Sequence, residues 1–231
     1  MTDLHLHPPM TLARVHARAG WLLVVVAGVF ALLALGAAFE ALPWDQPITD
    51  AVLDQRTEAR NDIALAVSRL GSTPVVLAVA AVVAGLAWRR CRPLAVAIVL
   101  LALARPLVEF GFKELVDRDR PVGDRLVNGR GPSFPSGHPF ATAASWGFVP
   151  LVVALYTRRR WVWWASVIGA WTLIVLVAAS RVWLGVHWAS DVVGGVLIAI
   201  LGILGSERFI TLLHDRRGQP PCGQGPGPDR A

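Results

Sequence analysis

The sequence predicts an all-α fold: a six-transmembrane-helix bundle with an active site at its outer membrane face. Three observations carry that expectation. Of the 231 residues, 55% are hydrophobic and only 16% charged, too apolar a mixture for an ordinary soluble domain. The apolar residues fall in six stretches near the length needed to cross a bilayer. The arginines cluster between alternate stretches, as topology signals do.

The stretches run Trp21–Phe39, Thr73–Trp88, Pro93–Phe112, His138–Tyr156, Trp161–Ala179 and Trp188–Gly205. The first carries no charge and follows Arg14 and Arg18, with small residues Gly36, Ala37 and Ala38 at its end. That pattern resembles a signal peptide, but the apolar run exceeds the usual h-region of about 7–15 residues, which favours a retained anchor. The second stretch is the shortest. The third contains Arg105 and Glu109 at i, i+4 spacing, which predicts that they pair with each other at a helix interface or pocket wall. Gly194, Gly195 and Gly202 in the sixth predict close helix packing. Three regions result: a cytoplasmic segment 1–20, a six-span domain 21–206 and a disordered, Pro- and Gly-rich cytoplasmic tail 207–231. Cys91 and Cys222 make neither a disulfide framework nor a metal spacing.

Four basic clusters fall on one side if the helices alternate: Arg14 and Arg18; Arg89, Arg90 and Arg92; Arg158 to Arg160; Arg208, Arg216 and Arg217. The positive-inside rule makes that side cytoplasmic, in a multi-pass protein of the plasma membrane. The formal net charge of +6 therefore reflects topology, and no nucleic-acid-binding signature accompanies it. One outside segment defies the rule. Residues 113–137 carry Lys113, Arg118, Arg120, Arg125 and Arg130.

Those cations share a face with two other clusters. One is Pro135-Ser136-Gly137-His138 at the start of the fourth span; the other is Ser180-Arg181 followed by His187 and Asp191. Together they suit phosphoryl transfer, which is mostly positioning and electrostatic stabilisation. Lys113, Arg120 and Arg181 could neutralise phosphate oxygens. Gly137 permits close backbone approach at a helix N-terminus, and Ser136 adds a hydroxyl. His187 and Asp191, at i, i+4, share a helix face; a carboxylate on one ring nitrogen leaves the other as a neutral nucleophile. His138 would then protonate the leaving oxygen and later activate water.

Each residue alone has a plainer reading. Arg120 and Arg181 could be interfacial anchors, Ser136 an N-cap, and His187 with Asp191 a structural hydrogen bond. Jointly those readings leave the misplaced cations unexplained. Asp117-Arg118-Asp119 has the look of a metal motif, but the adjacent arginines favour pairing with basic neighbours. His5, His7 and His16 lack a carboxylate set and read as solvated.

The pattern Lys113-x6-Arg120-Pro121, then Pro135-Ser136-Gly137-His138, then Ser180-Arg181-x5-His187-x3-Asp191 resembles the type 2 phosphatidic acid phosphatases. These lipid phosphate phosphatases are related to the vanadium haloperoxidases. All three motifs are complete and in order. The resemblance implies that Lys113, Arg120, Ser136, Gly137, His138 and Arg181 surround the phosphate. It implies His187 as nucleophile, Asp191 as its partner and His138 as general acid. It further implies no metal and no cofactor, and as partner a phosphorylated lipid: undecaprenyl diphosphate, phosphatidate or phosphatidylglycerol phosphate. Two rival functions use the same residues. A lipid phosphotransferase would share the phosphohistidine, and a non-catalytic transporter of lipid phosphates or anions would use the cations for binding alone. Neither the lipid nor the oligomeric state is encoded in these motifs.

Overall fold

In the computed structural model, residues 12–217 and Cys222 are described, with side chains from Gly20 to Asp215 and at Cys222. The expectations for His5, His7, the His16 side chain and most of the tail lie outside them. The described residues are all-helical: α1 (Leu12–Ala38), α2 (Asp45–Leu53), α3 (Glu58–Arg69), α4 (Thr73–Trp88), α5 (Arg92–Val116), α6 (Gly137–Trp146), α7 (Val149–Tyr156), α8 (Arg160–Trp183) and α9 (Ala189–Arg217).

Five segments are long and apolar enough to cross a membrane: Gly20–Ala38, α5, Gly137–Tyr156, α8 and Ala189–Asp215. A sixth arises if α3 and α4, bent by 44°, count as one broken span. Only 17% of the hydrophobic window is buried in each of α5, α8 and α9, so most of that apolar surface has no protein covering it. Leu100, Leu103, Leu107 and Phe110 of α5 stand out in this way, as side chains facing lipid do.

Proline and glycine account for the breaks. The stretch expected as one helix over His138–Tyr156 is two, because Pro150 lacks an N–H and its ring opposes the Trp146 carbonyl. Pro74 and Pro93 sit in the first turns of α4 and α5, where a missing N–H costs little. The third span extends past Phe112, which puts Lys113 on the last turn of α5. Likewise α9 continues to Arg217, so residues 207–217 are helical rather than part of a disordered tail.

The helix α9 lies between α1 and α6 and carries the packing. A Cβ on Gly195 would collide with the Ser136 carbonyl, and one on Gly194 would come within 2.5 Å of the Phe134 ring. The expected close approach is thus made against the residues just before α6. Phe134, Phe140 and Ala199 are fully buried at this junction. A second apolar cluster joins α4, α5 and α7 at the other end, around Ala87, Ile98 and Phe148. There Cys91 and Cys222 are bonded, with Cα atoms 5.3 Å apart. Two cysteines far apart in sequence gave no sign of pairing; the bond corrects that reading and ties Cys222 to the start of α5.

Candidate active site

The site forms where the end of α5, the start of α6 and the α8–α9 connection meet, covered by α2 and α3. The segment 117–136 has no regular structure and organises itself around two buried arginines. Asp117 ends α5 in the left-handed region at φ 44°. Ser133 then folds back, its N–H donating to the Arg118 carbonyl at 2.7 Å and its hydroxyl to the Asp119 carbonyl at 3.0 Å. Arg120 is the hub. Its Nε donates to Gly131 O at 2.9 Å, and Nη2 donates to Arg130 O and Pro132 O at 3.0 and 3.2 Å. Its Nη1 donates to Val186 O at 2.6 Å and lies 3.3 Å from His187 Nε2.

That last contact assigns the histidine's tautomer. A guanidinium cannot accept, so Nε2 must present its lone pair to Arg120 and the ring proton must reside on Nδ1. The Nδ1 side faces Asp191 Oδ2 at 3.4 Å. Asp191 is itself fixed, with Oδ2 accepting from Trp188 N–H at 2.9 Å and Oδ1 from Arg118 Nη1 at 2.8 Å. Burial pushes the His187 pKa down to about 4; Asp191 raises it, whereas Arg120 and Arg181 lower it further. At neutral pH the ring is therefore uncharged, with its unprotonated nitrogen beside a cation. Arg120's pKa is also lowered, chiefly by burial.

The other predicted residues gather around this pair. Ser136 N–H donates to Asp191 O at 3.0 Å, which docks the start of α6 on α9. The Ser136 hydroxyl makes no cap bond and, buried, has no partner among the described residues. Arg181 donates through Nη1 to Ser68 Oγ at 2.6 Å, while its buried Nε is also unpartnered. Buried polar atoms are seldom left unpaired without a reason, and here two stand at one site. His138 is part-exposed at the second position of α6, and its ring makes no hydrogen bond among the described residues. It lies within electrostatic reach of Arg181, His187, Arg105 and Lys113. Lys113 pairs with Glu109 at 3.1 Å, and Glu109 pairs with Arg105 at 2.8 Å, the expected i, i+4 contact enlarged to a triad. The Glu109 carboxylate rests against Gly137 at the mouth of α6.

One reading changes. Asp117 and Asp119 do not pair with neighbouring cations; Arg118 turns instead to Asp45 at 2.7 Å and Asp191. Asp119 contributes its carbonyl, to Ser133 Oγ and Trp188 Nε1. The sequence reading missed Asp45 and Ser68 altogether. Both lie far from the motifs in sequence, and only chain folding brings them in. Among the described residues, no group of three or more His, Cys, Asp or Glu could hold a metal ion.

The profile of the PAP2 superfamily matches residues 67–215, a span that holds all three motifs. The chain belongs to this superfamily. It is 28% identical over 163 residues to phosphatidylglycerophosphatase B of Bacillus subtilis (strain 168), covering 68% of this chain and 78% of that one. Over 66 residues it is 46% identical to an undecaprenyl-diphosphatase of Sulfolobus acidocaldarius, 29% of this chain and 28% of its relative. The fold is similar to the crystal structure of a transmembrane PAP2 type phosphatidylglycerolphosphate phosphatase from Bacillus subtilis. The TM-score is 0.67 at 26% identity, over 84% of this chain and 96% of the other. This PAP2 protein is thus a multi-pass membrane protein whose relatives are lipid phosphatases.

Proposed function

We propose that this PAP2 protein hydrolyses the terminal phosphate or diphosphate of a membrane lipid through a phosphohistidine, without a metal. The observation that carries the proposal is the neutral His187, its Nε2 free of a proton, set between Asp191 and two cations, Arg120 and Arg181. The reaction needs such a device, because phosphate-monoester hydrolysis is among the slowest uncatalysed reactions, with accelerations reaching about 10²¹-fold.

In the first step, His187 Nε2 attacks phosphorus, the phosphorus–oxygen bond to the lipid breaks, and His138 gives that oxygen its proton. Asp191 holds the Nδ1 proton and stabilises the positive ring as the bond forms. Arg181 Nε, the Ser136 hydroxyl, Lys113 and the N–H groups at the start of α6 receive the phosphate oxygens. Since Lys113 is paired with Glu109, the incoming phosphate competes with that carboxylate for it. Arg120 differs in kind: most of its donors are committed to loop carbonyls, so it positions the segment more than it binds phosphate, and its Nη1 gives up the Nε2 lone pair as the attack begins. In the second step, His138 takes a proton from water, which attacks phosphorus and restores His187 with release of inorganic phosphate.

Lipid rather than soluble substrate is supported by an apolar groove of about 290 Å³ between α3 and α8, lined by Ile63, Ala64, Val67, Leu176, Ala179 and Trp183. It reaches Ser180, the neighbour of Arg181. Purified protein given undecaprenyl diphosphate, phosphatidate and phosphatidylglycerol phosphate should release inorganic phosphate from at least one, with no added acceptor and in the presence of EDTA. Dependence on a second lipid indicates a phosphotransferase, and loss restored by Mg²⁺ refutes the metal-free step. If His187→Ala still turns over, the nucleophile is wrong; if wild type binds these lipids without turnover, the protein is a carrier.

A further inference from the structure

Beyond the motif residues, a chain of three buried charges crosses the site. Asp45 opens α2 and is 2% exposed. Its Oδ1 accepts from Ser190 N–H at 2.9 Å, and its Oδ2 accepts from Arg118 Nη2 at 2.7 Å and from the Ser190 hydroxyl. Arg118, 8% exposed, donates through Nη1 to Asp191 Oδ1 at 2.8 Å and to Ser190 Oγ at 2.6 Å. Its guanidinium also lies over the Trp188 ring, 5.3 Å from the centroid. Asp45 precedes the residues that match the superfamily profile, which begin at 67.

We propose that Asp45 and Arg118 are positioning residues for catalysis: Arg118 orients Asp191 and partly neutralises it, and Asp45 holds Arg118 while returning part of that negative charge. The proposal rests on His187 being the nucleophile. Two features distinguish it from a simple staple between α2 and α9. Arg118 bonds the Asp191 oxygen that His187 does not use, which fixes the carboxylate plane from behind. The chain also alternates in sign, Asp45⁻, Arg118⁺, Asp191⁻, ending on the imidazole. Changing the first charge and changing the second should therefore act oppositely on His187. The charged and titratable groups that face His187 from the packed elements are Asp191 of α9, Arg181 of α8, Arg120 of segment 117–136 and His138 of α6.

The test is kcat and KM against pH for purified wild type, Arg118→Gln, Arg118→Lys and Asp45→Asn, with elution profile and thermal melting in detergent as fold controls. All three variants should lose about 10- to 100-fold in kcat, with KM within about twofold of wild type. Removing the cation leaves Asp191 uncompensated and favours imidazolium, so Arg118→Gln moves the acid limb of kcat/KM to higher pH. Arg118→Lys keeps the charge and leaves the limb in place. Asp45→Asn leaves Arg118 less compensated and moves the limb down or not at all. Shifts of Arg118→Gln and Asp45→Asn in the same direction, or full activity in both, overturn the relay. Should Asp45→Asn fail to fold, the two Arg118 variants still decide, because a limb that Arg118→Gln does not move excludes electrostatic control of Asp191. A wild type without turnover of any lipid phosphate would instead overturn the proposed function, so the two failures are distinct.

Discussion

The pKa of His187 sets the pH behaviour expected of a single residue. An ordinary histidine titrates near 6.5, whereas burial holds this one at about 4. Its lone pair is available above that value and lost below it. The acid limb of kcat/KM for the free enzyme should therefore fall as pH drops through about 4 rather than 6.5, and a loss of rate at higher pH belongs to His138, which must carry the proton it donates. A limb near 6.5 that is unaltered in His138→Asn would show that His187 is not held neutral. Folding follows the same sign. The unfolded chain takes up this proton first, so between pH 6.5 and about 4 acidification favours unfolding. Ser136 offers a second residue-scale prediction. Its hydroxyl makes no bond among the described residues, so Ser136→Ala should cost well under the ~1 kcal/mol typical of a lost N-cap, yet lower turnover. Paired melting and rate measurements check this; equal losses in both would return Ser136 to a purely structural role.

At the scale of helices, the site depends on how closely α9 approaches the start of α6. Gly195 meets the Ser136 carbonyl without a Cβ between them, and a methyl there has only backbone to push against. Gly195→Ala should destabilise the protein by about 1–3 kcal/mol through overpacking and depress turnover by displacing the Ser136–His138 turn. Gly169 of α8 has open space where its Cβ would lie, so Gly169→Ala should change neither; similar effects from both would mean that the close approach is unimportant. The contrast shows which parts of the fold were legible. Spans could be read because a bilayer demands long apolar runs, and the motifs because phosphate chemistry demands certain side chains at certain spacings. The break between α6 and α7 follows from Pro150, a local signal outweighed by the continuous apolar run around it. The bond from Arg118 to Asp45 spans 73 residues of sequence, and no local pattern marks it. For Arg120 the motif suggests phosphate chemistry, while the structure shows its donors mostly bound to carbonyls that only the folded loop supplies.

For the whole molecule, the open quantity is which way the bundle faces, and two observations pull in opposite directions. Clusters at Arg89 to Arg92 and Arg158 to Arg160 lie at the end away from the site, so the positive-inside rule turns the site outward. The Cys91–Cys222 bond lies at that same distal end, and disulfides are rare in the cytosol. The charge argument is the stronger, since it rests on several short loops and orientation is set during insertion. Arg130 is an exposed side chain in the segment beside the site. A protein carrying Arg130→Cys with Cys91→Ser and Cys222→Ser should therefore react with a membrane-impermeant maleimide on intact cells. Reaction only after the membrane is opened would reverse the orientation, place the lipid headgroup on the inner leaflet and make the disulfide end the external one. Activity of the same variant after solubilisation in detergent, where both faces are accessible, separates a reversed bundle, which keeps it, from a misfolded one, which does not.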